Sequence, residues 1–245
     1  MTRINPSSAP TPTLGQVSLI ALFVTALVTA QLTAAKILQF TLPFSLPITG
    51  NALILPGAAV AYALTYFATD CYSELYGRRA AQYIVNVGFV MNVVLLALVW
   101  TTITAPAARS SIDPAMFENV LAASTNIVAA SLIAYIVSQN TDVYLFHAIR
   151  DQTSGKHLWL RNIGSTAVSQ AIDTVIFVVV GFWLAPQFLQ SGVVLPAAVL
   201  AQLLVGQYIL KVGVAILDTP FVYGTIALLE RHDQRPAADT STPQR

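Results

Sequence analysis

The stretch "VSLIALFVTALVTAQLTAAKIL", residues 17–38, runs through an apolar sequence without meeting a charged side chain until Lys36. A helix that crosses the hydrocarbon core of a bilayer needs about 20 mostly apolar residues. Small residues around Ala30 resemble a signal-peptide cleavage site, but the run is too long for the apolar region of such a leader. The stretch therefore predicts a transmembrane helix.

The composition of the whole chain supports a lipid environment. It is 56% hydrophobic and 9% charged, whereas soluble domains are about 25% charged. The net charge of +1 provides no basic surface for nucleic acid, and the single Cys71 excludes an intrachain disulfide or a CxxC site. We expect the bilayer and a small molecule as partners, with no nucleic acid, metal or cofactor; a homo-oligomer is left open.

Scanning with the same length predicts an all-α integral membrane protein. The predicted transmembrane domain covers 17–229, and the polar segments 1–16 and 230–245 are predicted to be disordered tails. A short apolar segment follows Pro220, which favours a break or kink there. We interpret this segment as the continuation of the last helix, bent or interfacial, because it is too short for a seventh span. The six predicted spans are 17–38, 52–69, 84–103, 121–143, 164–189 and 193–217.

The distribution of Lys and Arg predicts the orientation. The second connection contains Arg78 and Arg79, and the fourth contains three more cations, whereas the odd-numbered connections contain only Arg109. Because cytoplasmic loops carry the excess of Lys and Arg, both termini should be cytoplasmic. The predicted location is the cytoplasmic (inner) membrane.

An internal similarity links two predicted helix ends. "TDCYSELYGR" at 69–78 aligns with "TDVYLFHAIR" at 141–150, matching at Thr, Asp, Tyr and Arg. The second and fourth predicted helices thus end alike, and helices that differ by an even number share their orientation in the membrane. This favours three helical hairpins related by an axis along the membrane normal, as in parallel-repeat transporters. Chance similarity between two segments that leave the membrane is the alternative.

Charged residues form a row at the end of the second span. Asp70, Glu74 and Arg78 are spaced four residues apart and therefore share one face of a helix. Two carboxylates one turn apart repel each other unless a cation or a ligand's donors lie between them, so the row predicts substrate recognition. The alternative is that Arg78 and Arg79 only set topology.

Lys211 lies well inside the last predicted span, where an ionised side chain facing lipid is costly. We expect it to face the bundle interior and pair with Asp173 or Asp218; the alternative is a structural ion pair without substrate contact.

Carboxylates, carboxamides and aromatic rings together suit a planar, nitrogen-rich molecule, although sugars and amino acids remain alternatives. The predicted substrate-binding residues are Asp70, Glu74, Arg78, Asn140, Asp142, Arg150, Gln170, Asp173, Lys211 and Asp218.

Three stretches resemble a known family. They are "TDCYSELYGRRAA" (69–81), "FHAIRDQTSGKHLWLRNIGSTAVSQAIDTVIF" (146–177) and "KVGVAILDTPFVY" (211–223), and in this order they resemble the queuosine precursor transporter family, formerly named a putative vitamin uptake family. The resemblance implies a transporter, and not an enzyme, for 7-deazaguanines such as preQ0 and preQ1, which cells use to make the queuosine of tRNA.

Two other functions are alternatives for this sequence. The first is a substrate-binding membrane subunit for a vitamin-like molecule, energised by a separate ATP-driven module; the chain itself has no GxxxxGK[ST] phosphate loop. The second is an intramembrane enzyme, but the chain contains neither HExxH nor GxSxG. The preferred precursor among preQ0, preQ1 and queuine stays open.

Overall fold

The computed structural model describes residues 11–46, 48–153 and 158–233. Long helices dominate, and one antiparallel hairpin interrupts them near the start of the chain. In chain order the elements are α1 (Leu14–Thr33), β1 (Ile37–Leu46), β2 (Gly50–Pro56), α2 (Ala59–Tyr76), α3 (Arg78–Thr104), α4 (Pro114–Leu121), α5 (Ala123–Gln152), α6 (Leu158–Val179), a π-helical segment (Val180–Leu184), α7 (Ala185–Leu189) and α8 (Ala197–Asp233).

Five helical segments within the described ranges are long and apolar enough to cross a membrane. They confirm a mostly helical, multi-pass membrane protein. Helix α2 is not among the five, because its polar side chains, Asp70 and Glu74 among them, lower its mean hydropathy. The five segments are Leu14–Thr33, Arg79–Thr104, Pro114–Ser138, Ala167–Leu189 and Ala197–Val214.

The β-hairpin corrects the prediction of a purely helical chain. The predicted spans 17–38 and 52–69 both extended into residues that form strands, since β1 pairs antiparallel with β2 from Ile37 opposite Pro56 to Thr41 opposite Ala52. Pro43 would break a helix here, and Gly50 adopts a φ of 63° at the turn, a conformation that glycine tolerates without strain. As a result α2 begins at Ala59 rather than at residue 52.

The helix ends also differ from the predicted boundaries. Thr13 caps α1 by accepting a hydrogen bond from the backbone N–H of Gln16 at 3.2 Å, so residues 14–16 are helical and not part of a tail. At the other end α8 continues through Pro220 to Asp233, since membrane helices tolerate proline when neighbouring groups satisfy the freed backbone. The predicted continuation of the last helix past Pro220 is therefore confirmed, and the helix does not break there. The tail segments 1–10 and 234–245 lie outside the described residues.

Small residues allow the elements to pack closely. A Cβ at Gly206 of α8 would overlap the backbone carbonyl of Ile54 in β2, and one at Gly88 of α3 would lie 2.7 Å from the Phe23 ring. Such contacts are typical of helix association in membranes. Helix α1 packs along α2, and α5 packs most extensively along α6, a helix of a different predicted hairpin. The threefold repeat of hairpins therefore stays a prediction.

Candidate functional site

A cavity of about 260 Å³ lies inside the bundle, and six helices supply its walls. Small-molecule sites in proteins measure roughly 300–1,000 Å³, so this one suits a small ligand. Its position at the middle of α1, α3, α6 and α8 matches the midplane sites of transporters. The aromatic lining residues are Phe23, Tyr62, Tyr66, Phe89, Tyr135 and Phe177, and the polar ones include Gln31, Asn92, Ser131, Ser138, Gln170, Asp173, Gln207 and Lys211.

An ion pair forms one part of the cavity wall. The Lys211 Nζ donates to Asp173 Oδ2 at 2.8 Å and to Thr174 Oγ1 at 2.9 Å. The Ser138 Oγ donates to the other oxygen of Asp173 at 3.2 Å. The network joins α5, α6 and α8 and confirms that Lys211 faces the bundle interior and pairs with Asp173; substrate contact by the pair stays a prediction.

Three buried carboxamides face the same cavity. Gln31, Asn92 and Gln207 are 1%, 0% and 7% exposed. Both polar side-chain atoms of Gln31 and of Asn92, and the Nε2 of Gln207, have no hydrogen-bond partner among the described residues. A buried polar group without a partner costs about 1–3 kcal/mol. The cavity therefore presents hydrogen-bonding capacity that the surrounding chain does not use.

Sequence reasoning did not assign these carboxamides to the site. Gln31, Asn92 and Gln207 are polar residues inside the apolar runs 17–38, 84–103 and 193–217. A carboxamide in the middle of an apolar span is itself a usable signal, because a lipid-facing amide would lose its hydrogen bonds. Such a signal indicates burial in protein but does not indicate which cavity the residue faces.

The predicted site residues fall into three groups. Gln170, Asp173 and Lys211 line the cavity. Asp70 and Glu74 are exposed on α2 beyond Thr69, where the described cavity wall on that helix ends. Asn140 is exposed, and its amide donates to the backbone carbonyl of Ile136; substrate contact by these exposed residues stays a prediction. The side chains of Arg78, Asp142, Arg150 and Asp218 lie outside the described part of the structure.

A second cavity of about 660 Å³ lies where α1 ends and α5 begins. Its lining includes the end of α1, the start of β1, and the π-helical segment Val180–Leu184. The Phe177 ring makes edge-to-face contacts with Tyr62 at 6.1 Å and with Phe182 at 5.9 Å between centroids. Phe177 lines the first cavity and Phe182 the second, so this contact joins the walls of the two spaces.

The chemistry of the first cavity favours a flat, polar ligand. Within the described lining residues the charges of Asp173 and Lys211 offset each other, so no net charge is left to attract an ion. The Phe89 and Tyr135 rings lie 4.1 Å apart and present an aromatic surface of the kind on which planar molecules stack. The free carboxamides offer both donors and acceptors.

Comparison with known proteins gives a consistent result. The family profile described as "Putative vitamin uptake transporter" matches residues 56–225. A protein of Bacillus subtilis (strain 168) named "Probable queuosine precursor transporter" is 34% identical over 177 residues, which is 72% of this chain and 73% of the relative. No solved structure matches the chain.

Proposed function

This chain belongs to the queuosine precursor transporter family, and from that premise we propose that it carries 7-deazaguanines such as preQ0 and preQ1 across the cytoplasmic membrane. The observation that supports the proposal is the cavity inside the bundle, where six helices bring aromatic rings, carboxamides and a neutralised ion pair together. A 7-deazaguanine is flat, and its edges carry both hydrogen-bond donors and acceptors. Such a ring complements this lining.

The proposed topology has six spans with both termini in the cytoplasm. Helix α2, with 18 residues, measures about 27 Å at 1.5 Å per residue and lies within the range of about 17–25 residues seen for membrane helices. The second connection carries Arg78 and Arg79, which favours its cytoplasmic placement. In this orientation the second cavity faces the outer side, and substrate would pass the contact between Phe177 and Phe182 to reach the first cavity.

Uptake of labelled preQ0 and preQ1 tests the function. The host should lack this gene and any route to make or salvage the precursor, so that label in tRNA reports transport by the chain alone. We expect label to enter tRNA only when the chain is expressed. The variant Asn51→Ala, exposed on β2 outside the cavity, should behave as wild type. The proposal fails if wild-type protein reaches the membrane and uptake equals that of the empty vector.

A further inference from the structure

We infer that Gln31, Asn92 and Gln207 are the residues that read the hydrogen-bonding edges of the substrate. The inference rests on the proposed function and assigns recognition to a different set of residues from the acidic row on α2. Three helices, α1, α3 and α8, bring these side chains to one cavity although they are far apart in the sequence. Their convergence is therefore a property of the fold.

The hydrogen-bonding state of the carboxamides distinguishes them from the other polar lining residues. Buried polar groups in native proteins are nearly always paired. Here the ion pair follows that rule, since both oxygens of Asp173 already accept hydrogen bonds from Lys211 and Ser138. The five carboxamide atoms without partners among the described residues all belong to Gln31, Asn92 and Gln207, three buried residues that line a single cavity. A ligand in that cavity can satisfy them together once the side chains turn toward it.

A carboxamide suits this class of ligand because of its mixed chemistry. It presents a carbonyl acceptor beside an NH₂ donor, whereas a carboxylate only accepts and an ammonium only donates. The pyrimidinone ring of a 7-deazaguanine has an oxygen acceptor beside the N1–H donor, and a ring nitrogen acceptor beside the exocyclic amine. Each of these edges can form two parallel hydrogen bonds with one carboxamide.

The neighbouring rings place a flat ligand correctly for this contact. Phe89 lies one turn before Asn92 on α3 and lines the same cavity. Its partner ring Tyr135 is held from outside by Gln82, whose Nε2 lies 2.6 Å from the Tyr135 Oη. A base that stacks on these two rings would direct its edges toward the carboxamides that line the same cavity.

Apolar replacements of similar size separate recognition from a structural role. Asn92→Leu, Gln207→Met and Gln31→Met remove the hydrogen-bonding atoms but retain most of the side-chain volume. Because these atoms have no partners among the described residues, we expect an equal or higher melting temperature in detergent. We also expect binding of preQ0 and preQ1 to weaken at least about tenfold in each variant, with uptake falling in parallel. The control Asn51→Leu makes the same change at an exposed position of β2 outside the cavity and should leave binding unchanged.

The outcomes separate this inference from the proposed function. If wild type binds a 7-deazaguanine and Asn92→Leu and Gln207→Met bind it equally well, the assignment of the carboxamides is overturned while the function stands. If the variants instead melt well below wild type and below Asn51→Leu, the carboxamides are structural and the assignment is again overturned. If wild type neither binds nor transports any 7-deazaguanine, the proposed function itself fails.

Discussion

At the residue scale, Lys211 shows how a charge is kept within an apolar helix. Its ammonium has two acceptors on α6, Asp173 and Thr174, and the Thr174 hydroxyl donates in turn to the backbone carbonyl of Gln170. The pair therefore has enough hydrogen bonds to offset much of its desolvation. Its position in the cavity wall places this structural network directly beside the proposed substrate.

Removing one charge of this pair should affect stability and transport together. In Asp173→Asn, the partly buried Lys211 loses its counterion. Removing one partner of a fully buried pair costs about 3–5 kcal/mol, so a smaller loss of stability is expected here. We expect a lower melting temperature and loss of labelled preQ1 uptake. The double variant Asp173→Asn with Lys211→Met should recover much of the stability, because no unpaired charge remains.

Two results check this prediction. The control Asp151→Asn, an exposed carboxylate near the end of α5, should change neither the melting temperature nor uptake. A single variant Asp173→Asn that melts like wild type and transports normally would show that the pair contributes to neither property.

At the element scale, the β-hairpin fixes the position of α8. Ile54 and Leu55 of β2 are buried, whereas Phe40 and Phe44 of β1 are more than half exposed. The strand reaches α8 at Gly206, one residue before the proposed contact Gln207. Pro56, at the end of β2, is itself part of the cavity wall. The hairpin thus couples the first connection of the chain to the site.

A methyl group at Gly206 should disturb this packing. In Gly206→Ala the new Cβ would overlap the backbone carbonyl of Ile54, which cannot rotate away as a side chain can. We expect a lower melting temperature and reduced uptake, because β2 and α8 must separate and Gln207 must shift. Gly213→Ala is the matched control on α8, since a Cβ there meets nothing within 4 Å and alanine favours a helix by about 1 kcal/mol over glycine.

The comparison of these two glycines decides the question. Equal melting temperatures and equal uptake for Gly206→Ala and Gly213→Ala would show that the close approach of β2 to α8 is not required. A higher melting temperature for Gly213→Ala alone fits the packing described.

At the scale of the whole molecule, we expect this chain to transport its substrate without an ATPase. The described bundle contains a cavity lined by six of its own helices, and because the sequence has no phosphate-binding loop, any use of ATP would need a separate protein. Purified protein in liposomes should therefore take up labelled preQ0 or preQ1. The control is the same protein with Asp173→Asn. Uptake that appears only after an ATP-driven module is added would instead favour a substrate-binding subunit.

The membrane architecture could be predicted from the sequence because it depends on local quantities. The free energy of placing a residue in lipid is set by its own side chain and its neighbours in sequence, so five of the predicted spans correspond to membrane-length helices. The ion pair of Asp173 with Lys211 followed from the same reasoning, since a charge at that depth needs a partner. The hairpin was missed because short apolar strands and helices have similar hydropathy.

The sequence by itself thus determined that this is a multi-pass helical membrane protein, and its motifs indicated the family. Only the tertiary structure decided which polar side chains meet. Gln31, Asn92 and Gln207 belong to helices whose rotation about their own axes is set by packing with other helices, at contacts such as Gly88 with Phe23. Hydropathy along the chain carries no information about that rotation, and for this physical reason the cavity could not be read from the sequence.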